Sequence, residues 1–261
     1  MPSSSQLELR NLRFAYEAAG WFLDVPALAF GCEPLCGIVG PNGSGKSTLL
    51  KIAAGLLVPQ AGEAVLAGRS LASRRRRALA RQLGYLPQEC PVLFDYGVEQ
   101  VVAMGRHPYG GTLDLSGPGD RAAVARALGE VGLESLCHRP MSQLSGGERR
   151  RAWLAAALAQ ETELLLLDEP TAALDPHQAV AVMAILAQRA AAGLRVVAVM
   201  HDLNLAALYC DRLVLLRGGT IAADGPSREI LTEERLRTAY GTHIEVLSHP
   251  QRRDPVVLPK K

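Results

Sequence analysis

Eight consecutive residues at positions 40 to 47 have the composition of a phosphate-binding loop. They fit the pattern G-x-x-x-x-G-K-[S/T], and Thr48 follows them: Gly40-Pro41-Asn42-Gly43-Ser44-Gly45-Lys46-Ser47. Glycines let backbone N–H groups converge on phosphate oxygens, and a following helix points the positive end of its dipole at the same anion. Lys46 is then expected to contact the β- and γ-phosphates, and the Ser47 hydroxyl to complete a Mg²⁺ shell. The alternative is an ordinary glycine-rich turn before a helix.

Two adjacent carboxylates, Asp168 and Glu169, follow the apolar run Leu164–Leu167. Two acids at the end of a buried strand are costly unless a cation or a nucleophile uses them. We expect Asp168 to hold Mg²⁺, directly or through water, and Glu169 to polarise an attacking water as a general base. The alternative is a solvated acidic pair at the end of a strand.

The elements that would position these groups alternate between strand-length apolar runs and helix-like segments. The predicted strands are Gly37–Val39, Leu83–Leu86, Leu164–Leu167 and Val196–Met200, and the predicted helices are Ser47–Leu57, Pro176–Ala192 and Leu203–Tyr209. Continuous apolar strands separated by helices indicate an α/β fold with a parallel sheet covered on both faces. The segment Leu7–Tyr16 instead alternates with period two, which predicts a half-exposed strand.

Composition excludes several classes of protein. With 261 residues, 48% hydrophobic and 21% charged, the chain is long enough for one large or two small globular domains and is not disordered. The net charge of +2 is too small for general attraction to nucleic acid or membranes, so no nucleic-acid partner is expected. Every apolar run is shorter than the roughly 18 residues that span a bilayer. The first residues lack a secretory signal pattern, which favours the cytosol, and the five cysteines are expected to be buried reduced thiols.

Further motifs stand in a fixed order around the loop and the carboxylates. Ser145-Gly146-Gly147, inside Leu144–Glu148, begins 23 residues before Asp168. Over essentially residues 7–240 the chain resembles the ATP-binding-cassette (ABC) ATPases. The matching positions are the signature at Ser145–Gly147, the Q-loop at Gln88, the D-loop at Ala172–Asp175, the switch histidine at His201 and the adenine-stacking aromatic at Tyr16.

The resemblance implies a P-loop NTPase core of ABC type, a helical signature subdomain and an N-terminal antiparallel β region. One ABC ATPase domain is then expected over residues 1–261, with the core at about 1–90 and 160–240, the helical subdomain at about 91–159 and a C-terminal extension at about 241–261. One departure is the helix after the signature, where Ala155 or Ala156 stands in a position at which relatives often carry an arginine.

The resemblance also implies the cofactors, ATP and Mg²⁺, and the role of each residue. Lys46, Gln88, Glu169 and His201 are expected to be catalytic, with Gln88 also sensing the metal and the γ-phosphate. The signature serine and glycines would cap the γ-phosphate held by a second copy, so a homodimer with two shared sites is expected.

Within the family, the segment Val98–Tyr109 resembles importer cassettes for ferric siderophores, haem or cobalamin. Such a cassette serves separate polytopic membrane subunits on the cytoplasmic face of the inner membrane, and indirectly a periplasmic or lipid-anchored substrate-binding protein. The region from Gln88 to Tyr109 is expected to contact the membrane subunit, with Arg106 meeting a short cytoplasmic helix. The alternative is a soluble ABC ATPase that acts in regulation or on nucleic acid without a membrane partner.

Overall fold

The computed structural model of the protein describes residues 6–16, 22–90, 95–110, 117–241, 244–252 and 254–260. The chain divides into two compact units, one formed by Met1–Arg74 with Arg195–Lys261 and the other by Arg75–Leu194. Residues 1–5, which were predicted to carry no secretory signal, lie outside the described ranges.

Strands and helices alternate along most of the chain. The strands are β1 (Leu7–Ala15), β2 (Phe22–Phe30), β3 (Leu35–Val39), β4 (Ala61–Leu66), β5 (Arg69–Ser70), β6 (Leu83–Leu86), β7 (Leu164–Asp168), β8 (Arg195–Val199), β9 (Arg212–Arg217), β10 (Thr220–Pro226), β11 (Ile244–Ser248) and β12 (Pro255–Pro259). The α-helices are α1 (Lys46–Ala53), α2 (Arg76–Leu79), α3 (Val98–Met104), α4 (His107–Gly110), α5 (Pro118–Val131), α6 (Gly146–Ala159), α7 (Pro176–Ala191), α8 (Leu203–Tyr209), α9 (Ser227–Ile230) and α10 (Glu233–Tyr240).

The first unit contains an antiparallel sheet in the order β2-β1-β4-β5. In β1, Leu7, Leu9, Leu12 and Phe14 are buried, whereas Arg10 and Arg13 are exposed. The apolar side chains therefore face the core, and the predicted half-exposed strand is confirmed.

A second sheet of the first unit positions the phosphate loop. Its strands have the order β10-β9-β3-β8, and β3 pairs in parallel with both β8 and β9. All five residues of β3 are buried. Because parallel strands end at one edge of a sheet, the chain segments that follow β3 and β8 emerge side by side.

The second unit combines a parallel strand pair with helices. β6 and β7 pair with Leu83 opposite Leu164 and Leu86 opposite Leu167, and three of the four β6 residues and all of β7 are buried. Helix α6 packs against α3 and α5. Burial on both faces explains why these strands read as continuous apolar runs.

The predicted helices differ from the observed ones mainly at their ends. α7 and α8 match the prediction to within one residue, but α1 ends at Ala53 rather than Leu57. The chain turns there at Gly55, which has a φ of 69° and whose N–H donates to the carbonyl of Ile52. A left-handed glycine just after a helix is the usual way to end it.

The C-terminal hairpin of β11 and β12 belongs to the first unit and is attached to α8. The side-chain amide of Asn204 donates to the carbonyl of Val257 at 3.1 Å and accepts from its N–H at 2.8 Å. No helix in the described ranges is long and apolar enough to cross a bilayer.

The cysteines are all free, but they match the prediction of buried thiols only in part. Cys36 and Cys210 are buried, Cys90 and Cys137 are half-buried, and Cys32 is exposed. Burial raises the pKa of the Cys36 thiol to about 12, so this cysteine is protonated and unreactive at neutral pH.

Candidate nucleotide-binding and catalytic site

The predicted phosphate loop connects the end of β3 to the first turn of α1. Gly40 has a φ of 150°, and a Cβ atom there would lie 2.2 Å from the carbonyl oxygen of Leu216, so only glycine fits. Gly45, in the left-handed conformation, is the N-cap of α1 and offers no side chain to cap the helix. The N-terminal turn of α1 therefore begins directly at the loop, which is the arrangement that binds anions.

Two polar side chains of the loop, those of Ser44 and Lys46, are buried. The Lys46 ammonium donates to the carbonyl oxygens of Gly40 at 2.8 Å and Pro41 at 3.0 Å. The Ser44 hydroxyl is buried and has no hydrogen-bond partner among the described residues. A buried ammonium and a buried orphan hydroxyl fit a phosphate group, because its oxygens accept from both.

Tyr16, the predicted adenine-stacking residue, lies beside the first turn of α1. Its hydroxyl is 3.5 Å from the Thr48 hydroxyl, and its ring packs edge-on against Phe14 with centroids 4.9 Å apart. The Tyr16 side chain is 45% exposed, so one part of the ring is available for stacking.

His201 lies at the same sheet edge as the phosphate loop. The N–H of Met200 donates to the carbonyl of Ile38 at 2.9 Å, which carries the parallel pairing of β3 and β8 up to their last residues. Asp202, which follows His201, caps α8 by accepting hydrogen bonds from the N–H groups of Asn204 and Leu205. The first unit thus brings together Tyr16 with Thr48, and His201 with the loop strand.

The second unit brings together the predicted Q-loop glutamine and the predicted general base. Gln88 follows β6 and Glu169 follows β7, and the Gln88 side-chain amide donates to Glu169 Oε2 at 2.7 Å. Asp168 and Glu169 are both buried. Glu169 also has a φ of 50°, a left-handed conformation that costs a non-glycine residue roughly 1–2 kcal/mol and clusters at functional sites.

A buried arginine that sequence reasoning missed holds this centre together. Arg150, in the second turn of α6, donates to five backbone carbonyl oxygens, those of Pro87, Gln88, Asp168, Glu169 and Pro170, at 2.8 to 3.1 Å. Burial lowers the pKa of its guanidinium, which still leaves the group charged at neutral pH. The sequence signal was present only as the middle residue of the run Arg149–Arg151, whose spacing does not single it out.

Tyr85 is a second residue that the sequence did not single out. It lies in β6, and burial together with the neighbouring Asp168 carboxylate raises the pKa of its hydroxyl. The phenol is therefore neutral beside the carboxylate.

The signature serine begins α6 and forms a capping box with Glu148. The Ser145 hydroxyl accepts from the Glu148 N–H at 3.2 Å, and the Glu148 carboxylate accepts from the Ser145 N–H at 2.8 Å. The hydrogen bonds from Ser145 lower the pKa of Glu148.

A Cβ atom at Gly146 would meet nothing within 4 Å, whereas one at Gly147 would collide with the Gln178 side chain. Gly146 therefore offers open space for an approaching group.

Residues 25–172, more than half of the chain, match a protein-family model described as ABC transporter. The chain belongs to the ABC transporter family. As an ABC ATPase it binds nucleotide and hydrolyses ATP, which agrees with the phosphate loop and the buried carboxylates.

Two relatives of this ABC ATPase are import proteins named after a cargo. The hemin import ATP-binding protein HmuV of Thermobifida fusca is 42% identical over 253 residues, which cover 97% of this chain and 88% of that protein. The cobalamin import ATP-binding protein BtuD of Halobacterium salinarum is 42% identical over 217 residues, which cover 83% of this chain and 54% of that protein.

Solved ABC structures share the fold. An inward-facing transporter described as of metal-chelate type has a TM-score of 0.84 and 27% identity, covering 98% of this chain and 98% of that one. A dimeric bacterial ABC transporter cassette has a TM-score of 0.74 and 27% identity, covering 85% of this chain and 99% of that one. The predicted P-loop core of ABC type, with its N-terminal antiparallel sheet, is confirmed.

The prediction that Arg106 of this ABC ATPase meets a membrane subunit is wrong. The Arg106 side chain is buried, and its guanidinium bonds to Asp120 and Glu161, each at 2.8 Å, and to the carbonyl of Ala159. The ring of Tyr109 lies 4.1 Å below it. Two carboxylates and an aromatic face satisfy the cation internally, so it is not available to a partner.

An open groove of about 360 Å³ lies next to the Q-loop in the second unit. It is lined mainly by apolar groups, which include Pro87, Cys90, Met104, Trp153, Ala156 and Ala157. Ala156, one of the two positions where relatives often carry an arginine, is therefore part of an apolar wall.

Proposed function

We propose that this protein is the ATP-hydrolysing subunit of an importer for a metal chelate of haem type. The observation that carries the proposal is the 42% identity to HmuV over 97% of this chain and 88% of that protein. The cobalamin relative has the same identity, but the match covers only 54% of that protein, so haem is the favoured cargo. A regulatory or nucleic-acid-associated ATPase has no such support.

In the proposed reaction the phosphate loop binds the nucleotide. Lys46 and backbone N–H groups of the phosphate loop hold the β- and γ-phosphates, the Ser44 hydroxyl gains an acceptor, and Tyr16 stacks on the adenine. Oxygen ligands suit Mg²⁺, and Ser47, Gln88 and Asp168 would supply them. When bound, the cation neutralises charge on the phosphates.

Hydrolysis in this proposal depends on the second unit. Glu169 takes a proton from the attacking water, and the Gln88 amide keeps its carboxylate in a fixed orientation through the 2.7 Å hydrogen bond. His201 completes the catalytic set as the switch histidine. Catalysis is then mainly positioning and electrostatic stabilisation.

The proposed active form is a homodimer. Ser145, Gly146 and Gly147 would cap the γ-phosphate bound by the second copy, and the open space at Gly146 leaves room for that approach. The solved dimeric cassette supports this assembly. A two-fold dimer contains two such shared sites. We also propose that residues 1–261 act as a single ABC ATPase domain.

The proposed membrane contact is the groove beside the Q-loop. Its apolar lining and size suit a short cytoplasmic helix of a polytopic membrane subunit, which would hold the protein on the cytoplasmic face of the inner membrane. A periplasmic or lipid-anchored binding protein would deliver the chelate from the other side.

The test of this function is uptake by a reconstituted transporter with a Glu169→Gln variant. The variant keeps the shape of the side chain but removes the base, so turnover should fall about 10²–10⁴-fold while ATP binding persists and an ATP-bound dimer accumulates. Glu163→Gln, at an exposed glutamate in the same segment, is the matched control and should hydrolyse ATP at the wild-type rate. Normal turnover by Glu169→Gln would remove Glu169 from the mechanism.

The cargo and the groove are tested in the same reconstituted system. Haem-loaded binding protein should stimulate hydrolysis, whereas stimulation only by cobalamin or by a ferric siderophore would replace haem as the cargo.

Met104→Glu should abolish stimulation by the membrane subunits, because it places a charge in the apolar groove. Val58→Glu, at a residue 79% exposed, should not, and equal stimulation in both variants would move the contact elsewhere.

A further inference from the structure

We propose that Arg150 is a positioning residue that couples the signature helix to both the Q-loop and the catalytic carboxylates. The inference rests on the proposed roles of Gln88 and Glu169. The new element is that one side chain, that of Arg150, holds the backbones of Gln88 and Glu169 in fixed positions.

The geometry uses every donor that an arginine has. Nε donates to Pro170, one terminal nitrogen donates to Pro87 and Gln88, and the other donates to Asp168 and Glu169. A guanidinium carries five N–H groups in a fixed planar fork, and here five carbonyl oxygens accept from them. The side chain therefore fixes two separate chain segments at once, one after β6 and one after β7.

The held segments are the ones whose geometry catalysis needs. Glu169 has a left-handed backbone with a φ of 50°, which persists in a non-glycine residue only where the surroundings hold it. Arg150 bonds the carbonyls of Asp168, Glu169 and Pro170, one residue on each side of the strained position as well as the strained residue itself. The same guanidinium bonds the carbonyl of Gln88, whose side chain contacts the Glu169 carboxylate.

Arg150 lies on the same helix, α6, as the signature serine. Ser145 is the N-cap of that helix, and Arg150 lies one and a half turns further on. A displacement of the Q-loop backbone therefore pulls on the helix that presents the signature. Within one copy, the arginine joins the segment that meets the metal and γ-phosphate to the segment that meets the second copy.

Lysine cannot replace this arrangement. An ammonium is a compact donor with three N–H groups on one atom and cannot span two segments with a planar fork. Arg150→Lys keeps the charge and most of the side-chain volume, so it separates positioning from charge and packing. Arg151→Ala is the matched control, because Arg151 follows on the same helix and donates to the carbonyl of Val131, outside the site.

The experiment measures kcat, KM for ATP and equilibrium binding of ATP–Mg²⁺ for Arg150→Lys, Arg150→Ala and Arg151→Ala in the full-length protein. We expect kcat to fall about 100-fold in both Arg150 variants, because a small misplacement of a catalytic group has effects of that size. ATP binding should change less than about threefold, because the phosphate loop makes most of the nucleotide contacts. Arg151→Ala should keep the wild-type kcat.

A double-variant comparison distinguishes positioning from general structural support. Combined with Glu169→Gln, Arg150→Lys should lower the residual rate by less than about threefold, because both the general base and the carboxylate that the Gln88 amide orients are already gone. A full additional 100-fold loss would overturn the inference, as would a wild-type kcat in Arg150→Lys. A loss of helical circular dichroism in Arg150→Lys, in parallel with the loss of activity, would assign the residue to stability instead. If Glu169→Gln alone retains normal turnover, the proposed function fails, irrespective of Arg150.

Discussion

Arg106 and Arg150 are both buried arginines of the second unit, but their partners belong to different chemical classes. Arg106 is neutralised by two carboxylates, those of Asp120 and Glu161, and it also packs on an aromatic ring. Among the residues that the structure describes, the hydrogen-bond partners of Arg150 are all backbone carbonyls. Arg106 is therefore part of a packed charge cluster, whereas Arg150 holds the backbone of the two segments that follow β6 and β7.

This difference separates stability from activity. A buried charge with carboxylate partners is strongly destabilising to break, because the partner charges lose their compensation. Carbonyl dipoles that lose a donor instead relax, and the loops that carry them move. We therefore expect changes at Arg106 to appear in unfolding and changes at Arg150 to appear in kcat.

Arg106→Ala is expected to cause the largest loss of stability, and it tests the difference between the two arginines most directly. Removing the cation breaks its ion pairs with Asp120 and Glu161, although Glu161 keeps its ion pair with Arg126, and should cost about 3 kcal/mol of stability in the second unit. Faster hydrogen exchange of the backbone amides of α5 and α6 measures the loss. Arg228→Ala, at an exposed arginine of α9, is the control and should leave exchange unchanged.

The same variant also tests the corrected role of Arg106. Turnover per folded molecule should stay near the wild-type value at low temperature. Wild-type exchange rates combined with lost stimulation by membrane subunits would contradict the structural role and restore Arg106 to the partner surface.

A smaller effect is expected from Glu161→Gln, with a defined dependence on pH. Burial raises the pKa of Glu161, but hydrogen bonds and charges from Arg126 and Arg106 outweigh it, so the pKa lies below the ordinary value of 4.5. A carboxylate with a lowered pKa contributes stability above the unfolded-state pKa, and this contribution is lost as pH falls through the folded-state value. Since the side chain is 41% exposed, solvent screening limits the contribution at pH 7 to about 1 kcal/mol.

The measurement is urea unfolding of wild type and variant at pH 7 and at a pH below the lowered value. The difference in unfolding free energy should be present at pH 7 and shrink on acidification. Glu163→Gln should show neither effect. A difference that grows towards acid would mean that Glu161 is not stabilised as an anion.

The sequence predicted the part of the site that depends on local chain geometry. A loop between a buried strand and a helix needs glycine at Gly40 and Gly45, so the spacing alone located Lys46 and Ser47. The carboxylates were equally visible, because acids at the end of an apolar run stand out from their surroundings. Strands buried on both faces were predicted for the same reason.

The supporting residues could not be predicted, because their partners are distant in sequence and lie mainly in the backbone. Arg150 contacts carbonyls that lie 18 to 63 positions away, and any residue type provides a carbonyl. Arg106 looked like a surface residue since its carboxylate partners are 14 and 55 positions away. Neither helical periodicity nor charge patterning distinguishes a cation that is satisfied inside the fold from one in solvent.

The smallest effect sharpens the comparison by separating the aromatic part of the Arg106 cluster from its charges. The Tyr109 ring lies 4.1 Å from the Arg106 guanidinium carbon, and its hydroxyl donates to the carbonyl of Gln160 at 3.0 Å. Tyr109→Phe keeps the ring and should cost about 0.5–1 kcal/mol for the lost hydrogen bond. Tyr109→Leu also removes the ring and should cost roughly a further 0.5–1 kcal/mol.

Urea unfolding measures both losses, and kcat should not change, since neither variant touches a carbonyl that Arg150 holds. Equal stability in the two variants would show that the ring contributes only packing, whereas a lowered kcat in Tyr109→Phe would mean that the two arginine clusters are coupled rather than separate.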